Sequence, residues 1–329
     1  MIRLPSFVYR APRALDEAAR MLAGEGPAAM LLAGGTDVLP NMKRRQQTPT
    51  SLIALRQVGQ LRVQRGGDDG LELGAGLTLS TLVRDAQLRH DRRYAALWQA
   101  VSQVATPHIQ NMGTLGGNLC LDTRCTYYNQ SQEWRQAIDF CMKRDGKLCW
   151  VATSSPKCLA ISSSDSAPAL LALGARVRLV STAGEREVPL AALYQNDGID
   201  YLTRRPDEIL ASVHVDALPG WHSTYLKLRR RGSIDFPVLG VAAAVRMDGP
   251  LVAEARIALG AVASAPLLAT EAALCLVGHP LDGERVEEAA RLAARLAHPV
   301  DNTDLGGVFR KRVAREFILR ALTALRTAG

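Results

Sequence analysis

The chain has 329 residues, 47% of them hydrophobic, and carries six cysteines and a net charge of +8. That length buries a sizeable core in two domains, no run approaches the ~18 apolar residues of a membrane helix, and six cysteines are too few for a secreted disulfide scaffold. With no apolar signal core in Met1-Ile2-Arg3-Leu4-Pro5, the expectation is a cytoplasmic protein. The basic clusters Lys43-Arg44-Arg45, Arg229-Arg230-Arg231 and Arg310-Lys311-Arg312 lack the interleaved aromatics of a single-strand nucleic-acid binder. They read as solvated helix and hairpin edges or as a surface for an acidic protein, with neither nucleic acid nor membrane expected.

In chain order, Pro12 precedes Leu15, Ala18, Ala19 and Leu22 at helical spacing. Residues 28–33 read as a short buried strand. Gly34-Gly35-Thr36-Asp37 follows, and Pro40 holds a helix over 38–45 to its first turn. A strand, two glycines and a helix start make an anion site, because exposed amides point at a phosphate and the helix dipole favours its charge. Short strands are expected at 51–55, 61–64 and 71–73, with a turn over 66–70. A helix capped by Thr78 or Ser80 and running to about Leu88, and another over 94–104, precede Thr106-Pro107.

Gly113-Thr114-Leu115-Gly116-Gly117-Asn118 then opens a stretch holding five cysteines: Cys120, Cys125, Cys141, Cys149 and Cys158. Glycines let a ligand approach the backbone closely; crowded thiols suit a metal or iron–sulfur centre. Beyond them come a helical turn over 168–173, a hairpin of 176–180 and 186–188, and a strand over 208–215. Past Pro219-Gly220, strands at 223–229, 238–246 and 251–259 precede helices at 267–277, 283–297 and 305–325. Strands followed by helices suggest an α+β domain with an antiparallel sheet.

Leu32-Ala33-Gly34-Gly35-Thr36-Asp37 with Lys43, and Thr106-Pro107-His108-Ile109-Gln110-Asn111-Met112 running into the second glycine motif, resemble the FAD-binding medium subunit of the xanthine dehydrogenase (molybdenum hydroxylase) family. So do Ser164-Asp165 with Pro168 to Leu173, Tyr225-Leu226-Lys227-Leu228-Arg229-Arg230, and Phe309 to Arg312. The resemblance implies a two-subdomain FAD-binding fold of the PCMH-like type over 1–218, followed by a C-terminal α+β domain of the CO dehydrogenase flavoprotein type over 219–329. It implies FAD held by Leu32, Ala33, Gly34, Gly35, Thr36, Asp37, Val38, Lys43, Thr106, His108, Gly113, Thr114, Gly116, Gly117, Asn118, Asp165 and Lys227. Gln110 stands where the family often has arginine. Partners implied are a large molybdopterin subunit and a small [2Fe-2S] subunit, in a dimer of heterotrimers.

In most such subunits the Gly-Gly-Asn turn runs almost directly into the Ser-Asp segment; here about forty residues, 120–161, intervene. That insertion is similar to the one in the flavin subunit of 4-hydroxybenzoyl-CoA reductase, which implies an added [4Fe-4S] cluster. The expected ligands are Cys125, Cys141, Cys149 and Cys158, with Cys120 a small buried side chain in the flavin motif and Cys275 in an apolar helix. Zinc is the rival, although no Cys-x-x-Cys pair occurs. The implied role is electron transfer from an acidic ferredoxin toward molybdenum, for reductive dehydroxylation in anaerobic aromatic degradation. The other readings are outward electron flow from a heterocycle or aldehyde, a self-sufficient flavin oxidoreductase, and a zinc-stabilised binding protein.

Overall fold

A computed structural model describes residues 3–326; Met1 and Ile2 of the amino-terminal reading, and the last three positions of the 219–329 domain, lie outside the described residues. Three sheets organise the chain. Val8–Arg10, Ser51–Ala54 and Ala29–Leu32 form a parallel three-stranded sheet with Ser51–Ala54 in the middle. The helix Leu15–Glu25 lies over it with Leu15, Ala18, Ala19 and Leu22 turned inward, so each crossover returns a strand parallel to its predecessor. A five-stranded antiparallel sheet runs Gln64–Gly67, Gly70–Gly74, Ile209–Asp216, Arg176–Ser181, Gly184–Pro189. It shares the main core with the helices Leu79–Arg84, Ala95–Ser102, Leu115–Leu119 and Ser166–Ala172.

The remaining sheet is antiparallel, ordered Leu267–Leu268, Leu251–Gly260, Leu239–Asp248, Trp221–Leu228. Residues 239–245 of its long strand are all buried, a run without alternation that means both faces are covered. The two faces feed different cores: Ala242 and Ala244 join the main core, while Val241, Ala243 and Val245 join that of Gly283–Ala294 and Gly307–Arg326. The fold is thus α+β with antiparallel sheets and one small parallel sheet.

Where elements differ from the sequence expectation, local chemistry accounts for it. Residues 59–62 form a tight turn in place of a strand, and Gly66 and Gly67 belong to the following strand, because Asp68-Asp69 alone closes the hairpin to Gly70. The helix expected over 80–88 is two, Leu79–Arg84 and Ala86–His90, split where the Asp85 carboxylate caps the second by accepting from the Leu88 amide. The helix expected over 267–277 shrinks to Thr270–Leu274, since Leu267 and Leu268 pair with Leu259 and Ala258. The strand Val8–Arg10 and the helix Gln132–Ala137 were not anticipated.

The basic cluster at 310–312 needs correction as well. Arg310 is fully buried and donates to the carbonyls of Ala261 and Val300 and to Asn302 Oδ1. It anchors the last helix, and burial lowers its pKa to about 10.

Candidate functional site: two glycine turns and a cysteine loop

Leu32 ends an edge strand of the parallel sheet, and Ala33 to Asp37 turn the chain into the short helix Val38–Lys43. The second motif meets this turn directly. A Cβ on Gly34 would fall 1.9 Å from the Met112 carbonyl oxygen, so only glycine permits the approach. Gly35 takes a left-handed φ of 73°. Gly113 faces Thr36, and Gly117 faces Ala33. The two turns expected to share a ligand therefore form one surface.

Their amides differ. Those of Leu115, Gly116, Gly117 and Asn118 are taken by Leu77 O, Ala75 O, Thr114 Oγ1 and Thr114 O. Gly34, Gly35 and Thr36 donate to no partner among the described residues. The free amides thus lie in the first turn, while those of the second are engaged within the chain. The free amides and the glycine-only contact between the turns suit a diphosphate group such as that of FAD. Lys43 and His108 are exposed, and Thr106 Oγ1 caps its helix by accepting from the Ile109 amide.

Asp165, Lys227 and Asn118 face inward. Lys227 Nζ lies 2.9 Å from Asp165 Oδ2, and the Tyr225 hydroxyl donates to Asp165 Oδ1 at 2.7 Å. Lys227 also donates to Gln103 O. All three side chains are buried, and burial pushes the Asp165 pKa up and the Lys227 pKa down against their mutual attraction. The Asn118 carbonyl oxygen accepts from Ser164 Oγ, Ser166 N and Ser166 Oγ, so this side chain locks the glycine helix to Ser166–Ala172. Gln110 donates to Ser102 O and Val104 O; it ties the end of helix Ala95–Ser102.

The insertion leaves this core at Cys120, which packs on the main core, and gathers its other cysteines elsewhere. Cys125, Cys141 and Cys158 share a buried cluster with Tyr128 and Ala160, walled by Trp150. Cys149 is also buried and within electrostatic reach of Cys158. Asp139 and Phe140 both adopt left-handed φ, 58° and 55°, at about 1–2 kcal/mol each. The bend, held by Trp150 Nε1 donating to Phe140 O, returns Cys141 to the pocket. Gly198 closes it, since a Cβ there would stand 2.6 Å from Cys158 Sγ.

Burial raises the Cys125 pKa to about 12 and the Cys158 pKa to about 11. Among the described residues, no three His, Cys, Asp or Glu side chains are placed so as to hold a metal ion. What the insertion does hold is four buried free thiols with buried cations beside them.

Those cations are what reading the sequence missed. Arg124 pairs with Asp37 of the first glycine turn and stacks on Phe236 at 4.3 Å; burial lowers its pKa to about 10. Lys143 donates to Asp122, Thr123 and Gly198 O from a buried position. Arg135 is 1% exposed and donates to Arg44 O. Tyr128 and Gln46 exchange further bonds across the same seam. The insertion is thereby docked on the segment that follows the first glycine turn. Charged residues in a polar loop carry no signal of burial in the sequence, and only their place between cysteines could have pointed to them.

Known proteins agree with this architecture. Residues 5–217 match the FAD binding domain in molybdopterin dehydrogenase, and 223–325 match the CO dehydrogenase flavoprotein C-terminal domain. The aldehyde oxidoreductase FAD-binding subunit of Escherichia coli is 32% identical, over 80% of this chain and 83% of that protein. The carbon monoxide dehydrogenase medium chain of Afipia carboxidovorans is 28% identical, over 96% of each. Among solved structures, a Cu,Mo-CO dehydrogenase chain superposes with a TM-score of 0.82 at 26% identity, over 99% of this chain and 100% of that one. Quinoline 2-oxidoreductase from Pseudomonas putida gives 0.76 at 25% identity, over 99% of each. The chain belongs to the FAD-binding medium subunits of the xanthine dehydrogenase and CO dehydrogenase family of molybdenum hydroxylases.

Proposed function

We propose that this chain is the flavin and iron–sulfur subunit of a molybdenum enzyme of the 4-hydroxybenzoyl-CoA reductase type. Its FAD-binding domain spans 1–218, with the insertion at 120–161, and its C-terminal domain spans 219–329. The observation that carries the reading is a loop, docked on the first glycine turn, in which Cys125, Cys141 and Cys158 share one buried cluster and Cys149 is buried as well. Cys125, Cys141, Cys149 and Cys158 would hold a [4Fe-4S] cluster; the amides of Gly34 to Thr36 would hold the FAD diphosphate, against the Gly113 to Asn118 wall. Bound, the two groups supply one- and two-electron transfer between an acidic donor such as a reduced ferredoxin and the molybdopterin and [2Fe-2S] subunits of a dimer of heterotrimers.

The chain's own residues keep that site dry and fixed. Tyr128 and Trp150 wall the thiols from water, and Arg124 links the loop to Asp37. The net charge of +8 favours an acidic partner. No helix is long and apolar enough to cross a membrane among the described residues, which suits the cytoplasmic complex this reading requires. The relatives' names support a second reading, a flavin subunit whose complex oxidises an aldehyde or heterocycle with electrons flowing outward: aldehyde oxidoreductase, xanthine dehydrogenase and nicotinate dehydrogenase.

Two measurements separate these. Serine at any of the four cysteines removes iron, whereas Cys120→Ser keeps about four irons per chain; iron loss from Cys120→Ser instead overturns the ligand set. Stopped-flow mixing of the whole complex with reduced ferredoxin gives fast reduction that slows as salt rises. Slow, salt-indifferent reduction beside a fast reaction with a pyridine nucleotide favours outward flow.

A further inference from the structure

Where the four-stranded sheet meets the first domain, a cleft of about 310 Å³ opens that neither the glycine turns nor the cysteine loop lines. Its size falls within the range of small-molecule sites. Leu171 and Ala175 wall it from the first domain, and Ile257, Ala269 and Ala273 from the second. These five side chains are buried, whereas Leu274 at the rim is 64% exposed. Leu171 stands in the last turn of the helix Ser166–Ala172 and Asp165 just before its first, so the cleft and the flavin cradle are separate places. One cation lines this apolar space. Arg256, on the strand Leu251–Gly260, holds its guanidinium carbon 4.3 Å from the centre of the Trp221 ring. It makes no hydrogen bond or ion pair with any described residue, and its Nη1 is buried without a partner. Gly174, at a left-handed φ of 72°, leaves the space that Nη1 fills, since a Cβ there would stand 2.7 Å from that nitrogen. The neighbouring acids do not answer the charge. Glu254 pairs with Arg246 at 2.7 Å, and Asp216 with Arg176 at 2.7 Å. Burial lowers the Arg256 pKa accordingly.

We propose that this cleft binds a small organic carboxylate with an apolar body, its carboxylate on the Arg256 guanidinium and its hydrocarbon part against Leu171, Ile257 and Ala273. An unpaired guanidinium beside apolar surface is costly until an anion answers it. A planar carboxylate matches the fork of N–H donors that arginine presents. A phosphate suits the place less. A single cation does not balance a dianion, Asp216 and Glu254 lie within electrostatic reach, and the apolar walls would strip a phosphate of water without replacing it. The same walls favour a hydrocarbon body, whose burial is driven by the water it releases. The site stands on the fold and on Arg256 alone, and so is independent of the cluster reading.

Isothermal titration calorimetry of the full 329-residue chain tests it, with hexanoate, phenylacetate, hexanol and inorganic phosphate as probes. At least one of the two carboxylates binds saturably, at one site per chain. Hexanol, which lacks the charge, and phosphate, which lacks the apolar body, bind about tenfold more weakly or not at all. Arg256→Met keeps an apolar stem over Trp221 and removes the guanidinium; it weakens the carboxylate about tenfold, the weight of one charge-assisted hydrogen bond. Ala191→Trp, at an exposed position on the rim, closes the mouth with the guanidinium still in place and brings at least an equal loss. Failure of both carboxylates to bind wild type overturns the proposal, as does hexanol binding equally well or Arg256→Met binding undiminished. Should Arg256→Met fail to fold, Ala191→Trp decides alone, and unchanged affinity there sinks the site. Repeated on the complex with its other subunits, the titration should give the same affinity. Loss of binding in the complex would mean that a partner chain covers the cleft, and the small-molecule assignment would be wrong.

Discussion

The flavin cradle and the cysteine loop solve the problem of buried polarity in opposite ways. Around the glycine turns nearly every buried polar group is answered inside the chain. Asp165 meets Lys227 and Tyr225, Asn118 meets Ser164 and Ser166, and Gln110 meets two carbonyls. What remains open among the described residues is a short run of backbone amides in the first turn, with Asn41 Oδ1 and Ser163 Oγ nearby. In the insertion the balance reverses: four free thiols are buried, and the Nε of Arg124 and two nitrogens of Arg135 have no partner among the described residues. A saturated network holds a shape, whereas an unsaturated one awaits something that is not protein. The cradle is therefore largely self-contained, whereas the loop keeps buried donors that no described residue answers.

The largest effect that could break this contrast lies in the cradle. Lys227→Met leaves Asp165 buried with only the Tyr225 hydroxyl, and removing one partner of a buried pair costs about 3–5 kcal/mol. Chemical denaturation of the variant should show that loss. The double variant Lys227→Met with Asp165→Asn should recover much of it, since no charge is then stranded. A single variant as stable as wild type would mean that the pair is not what holds the two domains together.

Gly34→Ala comes next. Its Cβ would sit 1.9 Å from Met112 O, a clash with backbone that only separation of the two turns relieves. A loss on the order of 2–3 kcal/mol is expected, together with FAD content well below stoichiometric. Gly117→Ala, whose nearest neighbour is a side-chain hydroxyl at 3.0 Å, should cost less and keep the flavin. Equal flavin loss from both would assign the diphosphate to the second turn, despite its occupied amides.

Much of this was legible beforehand because the glycine motifs report backbone constraints, which act locally. Gly34 and Gly113 bring the two turns into contact, and the cysteines of the insertion lie apart from Cys120, which packs on the main core. Partnerships were not legible. Asp165 and Lys227 read as two independent cofactor ligands, yet they bind each other across 62 residues. Arg310 read as surface charge, and Arg135 and Lys143 drew no reading at all, yet each is buried by segments distant in sequence. A lysine or arginine announces its charge in the sequence, but what desolvates it is decided by tertiary packing.

The smallest effect sharpens the contrast most, because it concerns how the loop is attached. Gln46 Nε2 donates to Tyr128 O at 2.6 Å, and Gln46 O receives the Tyr128 hydroxyl at 3.5 Å. Arg135 to Arg44 O and Arg124 to Asp37 cross the same seam. Gln46→Ala removes one side-chain bond of this set and leaves the Tyr128 carbonyl unpaired, at a cost of about 1 kcal/mol. The cradle's core does not share that bond, so the loss should appear locally. Hydrogen exchange in 120–161 should quicken about fivefold, while the strands Ile209–Asp216 and Leu239–Asp248 exchange as before. If those strands quicken equally, the insertion and the cradle unfold as one unit. The cysteine loop would then be part of the cradle's own stability, and the division drawn between them would fail.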